Sequence, residues 1–386
     1  MDIFSLDQEY VAGTYARFPV ALVSGKGSIL TDVNGKQYID MGSGIGVTSF
    51  GAADETWAAA VSAQLHTLQH TSNLYYTEPC AKLAQALCGK TGMKKVFFSN
   101  SGAEANECAI KAARKYSADK KGAEHYTIIT LKNSFHGRTL TTLAATGQEH
   151  YHELFQPLTP GFVHVEAGDI EGLKETAKQV KAAGIMLECV QGEGGVVPLS
   201  EEFVLAAAQL AKEEDIPLII DEVQTGNGRS GKLYAYMNYG ITPDIVSTAK
   251  GLGGGLPIGA TLLGEKVQNV LGHGDHGSTY GGNPVCCAGA LTVIDRIDDA
   301  LLADVRAKSD FIFNSLQGAP GVISVKGMGL MIGIETEKSN KEVVAACIEH
   351  GVLCLTAKNK VRLLPALNIP METLKQAVEV IKAACK

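Results

Sequence analysis

The chain predicts an α/β protein, with a large domain on a mostly parallel sheet and a smaller α+β domain formed by both termini. Three observations carry this expectation. In the middle of the sequence, short β-branched or apolar runs alternate with longer Ala-rich helical segments, the pattern of strand–helix–strand units in a parallel sheet covered on both faces. The two ends break that rhythm, with a hairpin signal before residue 50 and helices mixed with Gly-punctuated strands after residue 300. The length, 386 residues at 45% hydrophobic and 19% charged, suffices for a full core and two structural domains.

In chain order, "GSILTDVNGKQYIDM" carries Asn34-Gly35, a strong two-residue turn signal between strands. "KKVFFSN" reads as a strand leading into the helix "AEANECAIKAARKYS", and "HYTIITLK" as a strand before a Gly/Arg loop. "AGIMLECV" is a strand followed by the helix "SEEFVLAAAQLAKEE", and "IPLIIDEV" and "DIVSTAK" are two more strands. The C-terminal part reads as helix, "GVISVKGMGLMIGIE", a further helix and "VRLLPAL". The expected boundaries place residues 50–298 in the large domain, and residues 1–49 with 299–386 in the small one.

Composition narrows the function classes. There are 34 Lys and Arg against 41 Asp and Glu, a net charge of −7, and no basic block, which argues against nucleic-acid or anionic-membrane partners. The opening "MDIFSLDQEY" is acidic and lacks an apolar signal region, and no apolar run reaches the length of a membrane span. The nine cysteines include adjacent Cys286 and Cys287 but no CxxC and no His/Cys ligand spacing. They read as mostly buried, reduced thiols of a cytoplasmic protein, with no metal site.

In open α/β sheets, ligands lie outside the carboxyl ends of the strands, and several polar residues fall there. Asp221 ends the apolar strand "IPLIID". It reads either as a cap of the next turn or as a carboxylate that needs a cation, for which a protonated pyridine nitrogen is suitable. Lys250 ends "DIVSTAK" and precedes a run of glycines. It either snorkels out of the core or sits in an apolar pocket as a nucleophilic amine of lowered pKa. "SNSGAEANE" fits a helix capped by Ser101 and Glu104, whose first N–H groups, near Gly102, also suit a phosphate. In "NSFHGRT", Phe135 offers a stacking face and Arg138 a two-pronged carboxylate binder, with a core Phe and a surface ion pair as the plainer readings. His136 reads as a core histidine and is assigned no catalytic role. "GNGRSG" (226–231) matches a dinucleotide fingerprint, but the following "KLYAYMNYG" is too short and aromatic for a glycine-opened helix, and Asp244 begins the next strand where the fingerprint wants an acid ending it.

Taken in order and spacing, "SGAEANE", "SFHGR", "QGEGG", "DEVQTGNGR", "AKGLGGGLPIG" and "GSTYGGNP" resemble the class III pyridoxal-phosphate aminotransferases from about Tyr15 to the C-terminus. "TYARFPV", "HTSNLYYTEP" and "RLLPALNI" are most similar to the branch of that class that acts on N-acetylornithine. The resemblance implies the aspartate aminotransferase-like fold (fold type I) with pyridoxal 5'-phosphate as cofactor. It implies transfer of the δ-amino group of N-acetylornithine to 2-oxoglutarate, a step of arginine biosynthesis. Sister activities on ornithine, succinylornithine or 4-aminobutyrate share its catalytic residues, and a non-catalytic cofactor-binding regulator is the alternative from another class.

Carried over residue by residue, the resemblance implies that Lys250 holds the cofactor covalently and Asp221 pairs with its ring nitrogen. Gln224 would bond the ring hydroxyl and Phe135 stack on the ring. Gly102 and Ala103 would bind the phosphate, and Glu222 and Val223 are further cofactor-binding positions. Thr279 would reach a phosphate across the interface of a homodimer. Ser278 and Arg138 would contact substrate, the latter through its carboxylate. Glu193 and Arg362 match a pair that closes for the amine donor and opens for glutamate, or are simply a structural ion pair. Tyr15 and Ser72-Asn73 are candidate pocket walls. The class often has Thr where this chain has Ala103, and a missing neutral hydrogen bond of roughly 0.5–1.5 kcal/mol implies weaker cofactor retention.

Overall fold

The computed structural model describes residues 2–386. Its centre is a seven-stranded sheet of β1 (Lys95–Ser99), β2 (Thr127–Leu131), β3 (Phe162–Val165), β4 (Ala182–Leu187), β5 (Leu218–Asp221), β6 (Ile245–Thr248) and β7 (Gly259–Leu263). The spatial order is β1-β7-β6-β5-β4-β2-β3. β7 runs antiparallel to both neighbours, and every other pairing is parallel. All residues of β4, β5, β6 and β7 are buried, as expected of strands covered on both faces, so none alternates between buried and exposed residues. β3 and β7 lie outside the strands expected from sequence.

β1 leads directly into α1 (Gly102–Lys121), which buries Ala105, Ala109, Ala112 and Ala113; such small side chains let a helix approach a sheet closely. The expected cap forms at Ser101, whose Oγ accepts from Glu104 N at 3.2 Å. Its reciprocal half is displaced by one residue, since Glu104 Oε2 accepts from Asn100 N at 2.7 Å.

Both termini contribute to the remaining structure. Leu22–Lys26, Ile29–Asp32 and Gln37–Asp40 form an antiparallel meander, and Val352–Leu353 joins its edge in parallel. At the expected Asn34-Gly35 turn, Asp32 Oδ1 accepts from the N–H groups of Asn34 and Lys36, both at 2.9 Å. Val322–Met328, Met331–Thr336, Lys360–Leu363 and Leu355–Ala357 form a further four-stranded antiparallel sheet. Two large apolar cores result, one including Phe203, Tyr234 and Leu252, the other Met41, Ile312, Ile332 and Leu374. The "GNGRSG" loop opens no α-helix. Only a short 3-10 turn, Ala235–Asn238, follows it, and buried Arg229 donates to the carbonyls of Leu330 and Pro365.

Candidate active site

The carboxyl ends of β4, β5 and β6 converge with the N-terminus of α1 on a cavity of about 620 Å³. Of the expected site residues, Gly102, Ala103, Phe135, Arg138, Asp221, Val223, Gln224 and Lys250 line it.

Lys250 begins a single 3-10 turn just past β6, with a left-handed φ of +45°. A non-glycine residue held there costs about 1–3 kcal/mol and persists only when its surroundings impose it. They do so here. Asn227 Nδ2 donates to Thr248 Oγ1 at 2.9 Å and to Ala249 O at 3.2 Å, clamping the approach, and Ser49 Oγ donates to Gly251 O at 3.2 Å. The glycines beyond close a turn too tight for side chains, as a Cβ on Gly253 would lie 2.0 Å from Leu256 O. Among the described residues Lys250 Nζ has no hydrogen-bond or ion-pair partner. Burial lowers its pKa, and the Arg362 charge lowers it further, against the opposing charges of Glu193, Asp221 and Glu188.

Asp221, 3% exposed, is held from three sides. Its Oδ2 accepts from Asn106 Nδ2 at 2.7 Å and His136 Nδ1 at 2.8 Å, and its Oδ1 from Val223 N at 2.9 Å. His136 is a buried histidine, as expected, but its contact with Asp221 and its place in the cavity wall went unread in the sequence. Asn106 and Glu188 were missed altogether. Asn106 gives no sequence signal, because its partner lies 115 residues away. Glu188 does give one: it immediately follows β4, the same strand-end position that singled out Asp221. Its Oε2 accepts from Phe135 N at 2.9 Å, and burial pushes its carboxyl up to about 7.

Arg362 Nη1 donates to Glu193 Oε1 at 2.5 Å and to Gln224 Oε1 at 3.1 Å, while Gln224 Nε2 donates to Glu193 Oε1 at 3.2 Å. Burial favours a neutral Glu193, but the Arg362 charge and hydrogen bond override it and hold the carboxyl below its usual range. Arg138 is exposed to the cavity with no hydrogen bond or ion pair among the described residues.

Five expected residues do not line this cavity: Glu193, which faces a neighbouring cavity, and Arg362 adjoin it through Gln224, and Glu222, Thr279 and Ser278 lie apart. Glu222 points elsewhere, its carboxylate accepting from Thr225 Oγ1 at 2.6 Å and Tyr236 N at 2.9 Å. Thr279 lines a separate cavity of about 500 Å³ with Ser72, Asn73, Tyr75 and Tyr76. Ser278 Oγ accepts from Asn100 Nδ2 at 3.3 Å and from Gly281 N at 2.9 Å, at the edge between the two.

The family profile of class-III aminotransferases matches residues 10–385. The chain belongs to the class-III aminotransferases. This aminotransferase is 52% identical over 381 residues to the acetylornithine aminotransferase of Haemophilus ducreyi, covering 98% of this chain and 97% of that one. It is 43% identical to the acetylornithine aminotransferase of Methanocaldococcus jannaschii, covering 97% and 96%. Among solved structures, the ornithine aminotransferase of Toxoplasma gondii, with PLP at partial occupancy in its active site, superposes with a TM-score of 0.94 at 30% identity, covering 99% of this chain and 93% of that one. The N-acetylornithine aminotransferase of Stenotrophomonas maltophilia gives 0.85 at 32%, covering 99% and 98%.

The cavity fits pyridoxal phosphate. The first turn of α1 has N–H groups without intrahelical acceptors, suited to a phosphate. Phe135 and Val223 supply apolar walls, Asp221 a fixed carboxylate for a ring cation, and Lys250 an unpaired amine. A Cβ on Gly102 would lie 2.6 Å from Val223 Cγ1, so helix and wall approach as closely as glycine allows.

Proposed function

We propose that this aminotransferase moves the δ-amino group of N-acetylornithine to 2-oxoglutarate, giving N-acetylglutamate 5-semialdehyde and glutamate. The observation that carries the chemistry is the unpartnered, pKa-lowered Lys250 facing one cavity with Asp221 and Arg138. The identity to acetylornithine aminotransferases over nearly the full chain supports the donor. The superposition on ornithine aminotransferase favours ornithine as the second reading.

Bound pyridoxal phosphate supplies an aldehyde that takes up the amino group and a ring that accepts the electrons released with the proton. The chain does the rest. Gly102 and Ala103 would hold the phosphate, Phe135 and Val223 would lie against the ring, and Asp221 would stabilise a proton on the ring nitrogen. Lys250 Nζ would hold the cofactor covalently and would serve as the base and then the acid for the proton at the donor's δ-carbon. Arg138 holds the donor's carboxylate while Glu193 keeps Arg362 engaged. Release of Arg362 provides the second cationic partner for glutamate and 2-oxoglutarate. Gln224 touches both members of that pair and would bond the ring hydroxyl.

The same reading includes a homodimer in which Ser278 and Thr279 serve the neighbouring site. It also includes a division at residues 49/50 and 298/299, supported by the separate apolar cores, and a cytoplasmic setting, supported by nine free cysteines.

The test is the visible spectrum of cofactor-loaded protein during titration with single amine donors and no keto acid. N-acetylornithine is expected to bleach the lysine-bound cofactor band at far lower concentration than ornithine or 4-aminobutyrate, and Lys250→Ala to lack that band and nearly all turnover. A preference for another donor would replace the substrate, and turnover retained by Lys250→Ala would end the assignment of Lys250.

A further inference from the structure

Arg138 is the cation on which the proposed donor recognition depends, yet no carboxylate, carbonyl or hydroxyl of the described residues holds it. What holds it is aromatic. Its Cζ lies 4.0 Å from the ring centroid of Tyr151 and 5.6 Å from that of Phe135, and the two rings meet edge-on at 6.0 Å and 74°. The His150 ring lies against Tyr151, with centroids 3.9 Å apart and planes tilted by 41°.

The turn that presents Tyr151, Glu149–Tyr151, is itself anchored. Tyr151 N donates to Gln148 O at 3.1 Å, and Gln148 Nε2 donates to Ser134 O at 3.0 Å, tying the turn to the loop that carries Phe135 and Arg138. On the other side, His152 Nε2 lies 2.9 Å from Leu143 O and 2.7 Å from Thr146 O, a donor shared between two carbonyls. Tyr151 lines not the catalytic cavity but a neighbouring one of about 970 Å³, which Glu193 shares and Arg138 does not. The ring therefore backs Arg138 and Phe135, which line the catalytic cavity, from the larger space beside it.

A guanidinium lying over a ring keeps its N–H edge free in its own plane, the geometry that a carboxylate engages with two parallel bonds. An exposed Arg without such a support spreads over many rotamers. We propose that Tyr151 is the positioning residue that holds Arg138 flat for the donor's carboxylate, and that it thereby sets the preference for donors with a carboxylate remote from the reacting amine. The proposal rests on Arg138 being the carboxylate holder.

The test compares N-acetylornithine with N-acetyl-1,4-diaminobutane, the same donor without its carboxylate, on cofactor-loaded enzyme. The quantity read is the ratio of their kcat/KM values, in which partial loss of folded or loaded protein cancels. Tyr151→Leu is expected to lower that ratio about fivefold, through KM for the acid, while the amine is unaffected. Tyr151→Phe, which keeps the ring, is expected to retain the wild-type ratio. An unchanged ratio in Tyr151→Leu, or an equal loss for both donors, overturns the role of Tyr151. Should Tyr151→Leu not fold, Tyr151→Met, which also lacks a ring, is read in the same way and an unchanged ratio again overturns the proposal. Arg138→Ala in the same assay tests the underlying reading separately. If it leaves the ratio intact, Arg138 does not hold the carboxylate and the support argument falls with it.

Discussion

Lys250 combines two local costs, a left-handed backbone and a half-buried, desolvated amine with no partner, and both belong to the residue proposed to do the chemistry. Such strain is tolerated where the surroundings over-determine it, and here Asn227 and Ser49 do so through the backbone around Lys250. The amine has a consequence for stability that can be measured without activity. Because burial lowers its pKa in the folded apoprotein, the unfolded chain binds a proton over a pH range where the folded chain has released it. Stability therefore rises with pH from the lowered folded value up to the ordinary lysine value, and the cost is greatest below that range. Lys250→Met keeps the side-chain length and the backbone strain but removes the charge. Apo Lys250→Met is expected to be more stable than the apo wild type near neutral pH, with the gap closing as pH approaches the ordinary lysine range. Denaturant unfolding of the two apoproteins at several pH values measures this, and a gap constant with pH would mean that Lys250 is not desolvated.

At the scale of elements, the N-terminus of α1 shows what could be read from the sequence and what could not. Ser101, the strand before it and the helix after it follow from local signals: an apolar run, a capping residue and an Ala-rich face. Five of the seven central strands were legible in the same way. β3 is four residues at the sheet edge, and β7 follows the glycine run and reverses direction, so neither carries the spacing of a strand–helix–strand unit. The strand-end rule found Asp221 and Lys250. It could not find Asn106 and His136 as partners of Asp221, because those contacts exist only once segments 115 and 85 residues apart are packed together. Nor could it show that Glu222, adjacent to Asp221, turns away into a buried hydrogen-bond set. The α1 terminus itself yields a paired prediction. Gly102→Ala drives a methyl group against Val223 and should weaken cofactor retention, whereas Ala103→Thr adds a hydroxyl near the turn proposed to bind the phosphate and should strengthen it by roughly 0.5–1.5 kcal/mol. Dialysis against buffer, with the remaining bound cofactor followed by its visible absorbance, would show the two variants losing cofactor faster and slower than wild type. Movement of both in the same direction would place the phosphate elsewhere.

At the scale of the whole molecule, Ser278 and Thr279, which the proposed mechanism assigns to a neighbouring site, stand away from the cavity of their own chain. Thr279 lines a different cavity beside Tyr75 and Tyr76, and Asn73 Nδ2 holds its loop by donating to Ser278 O at 2.8 Å and Gly281 O at 2.9 Å. Around that loop Leu74, Tyr75, Tyr76 and Tyr280 are all exposed, an apolar and aromatic cluster of the kind that marks an interface. If a second copy covers this face and Thr279 completes its site, the residues of one site come from two chains. The consequence can be tested with two inactive variants, Lys250→Ala and Thr279→Asp, the latter placing a carboxylate where the phosphate would sit. In a mixed dimer with shared sites, one site receives both defects and the other receives neither. Activity is therefore expected to reappear when differently tagged variants are co-expressed and the mixed species is purified, with one intact site per dimer. If Thr279 instead serves the site of its own chain, every site in the mixed dimer carries one defect and activity stays absent. The same result would follow from independent monomers, which the size of the purified species in solution distinguishes.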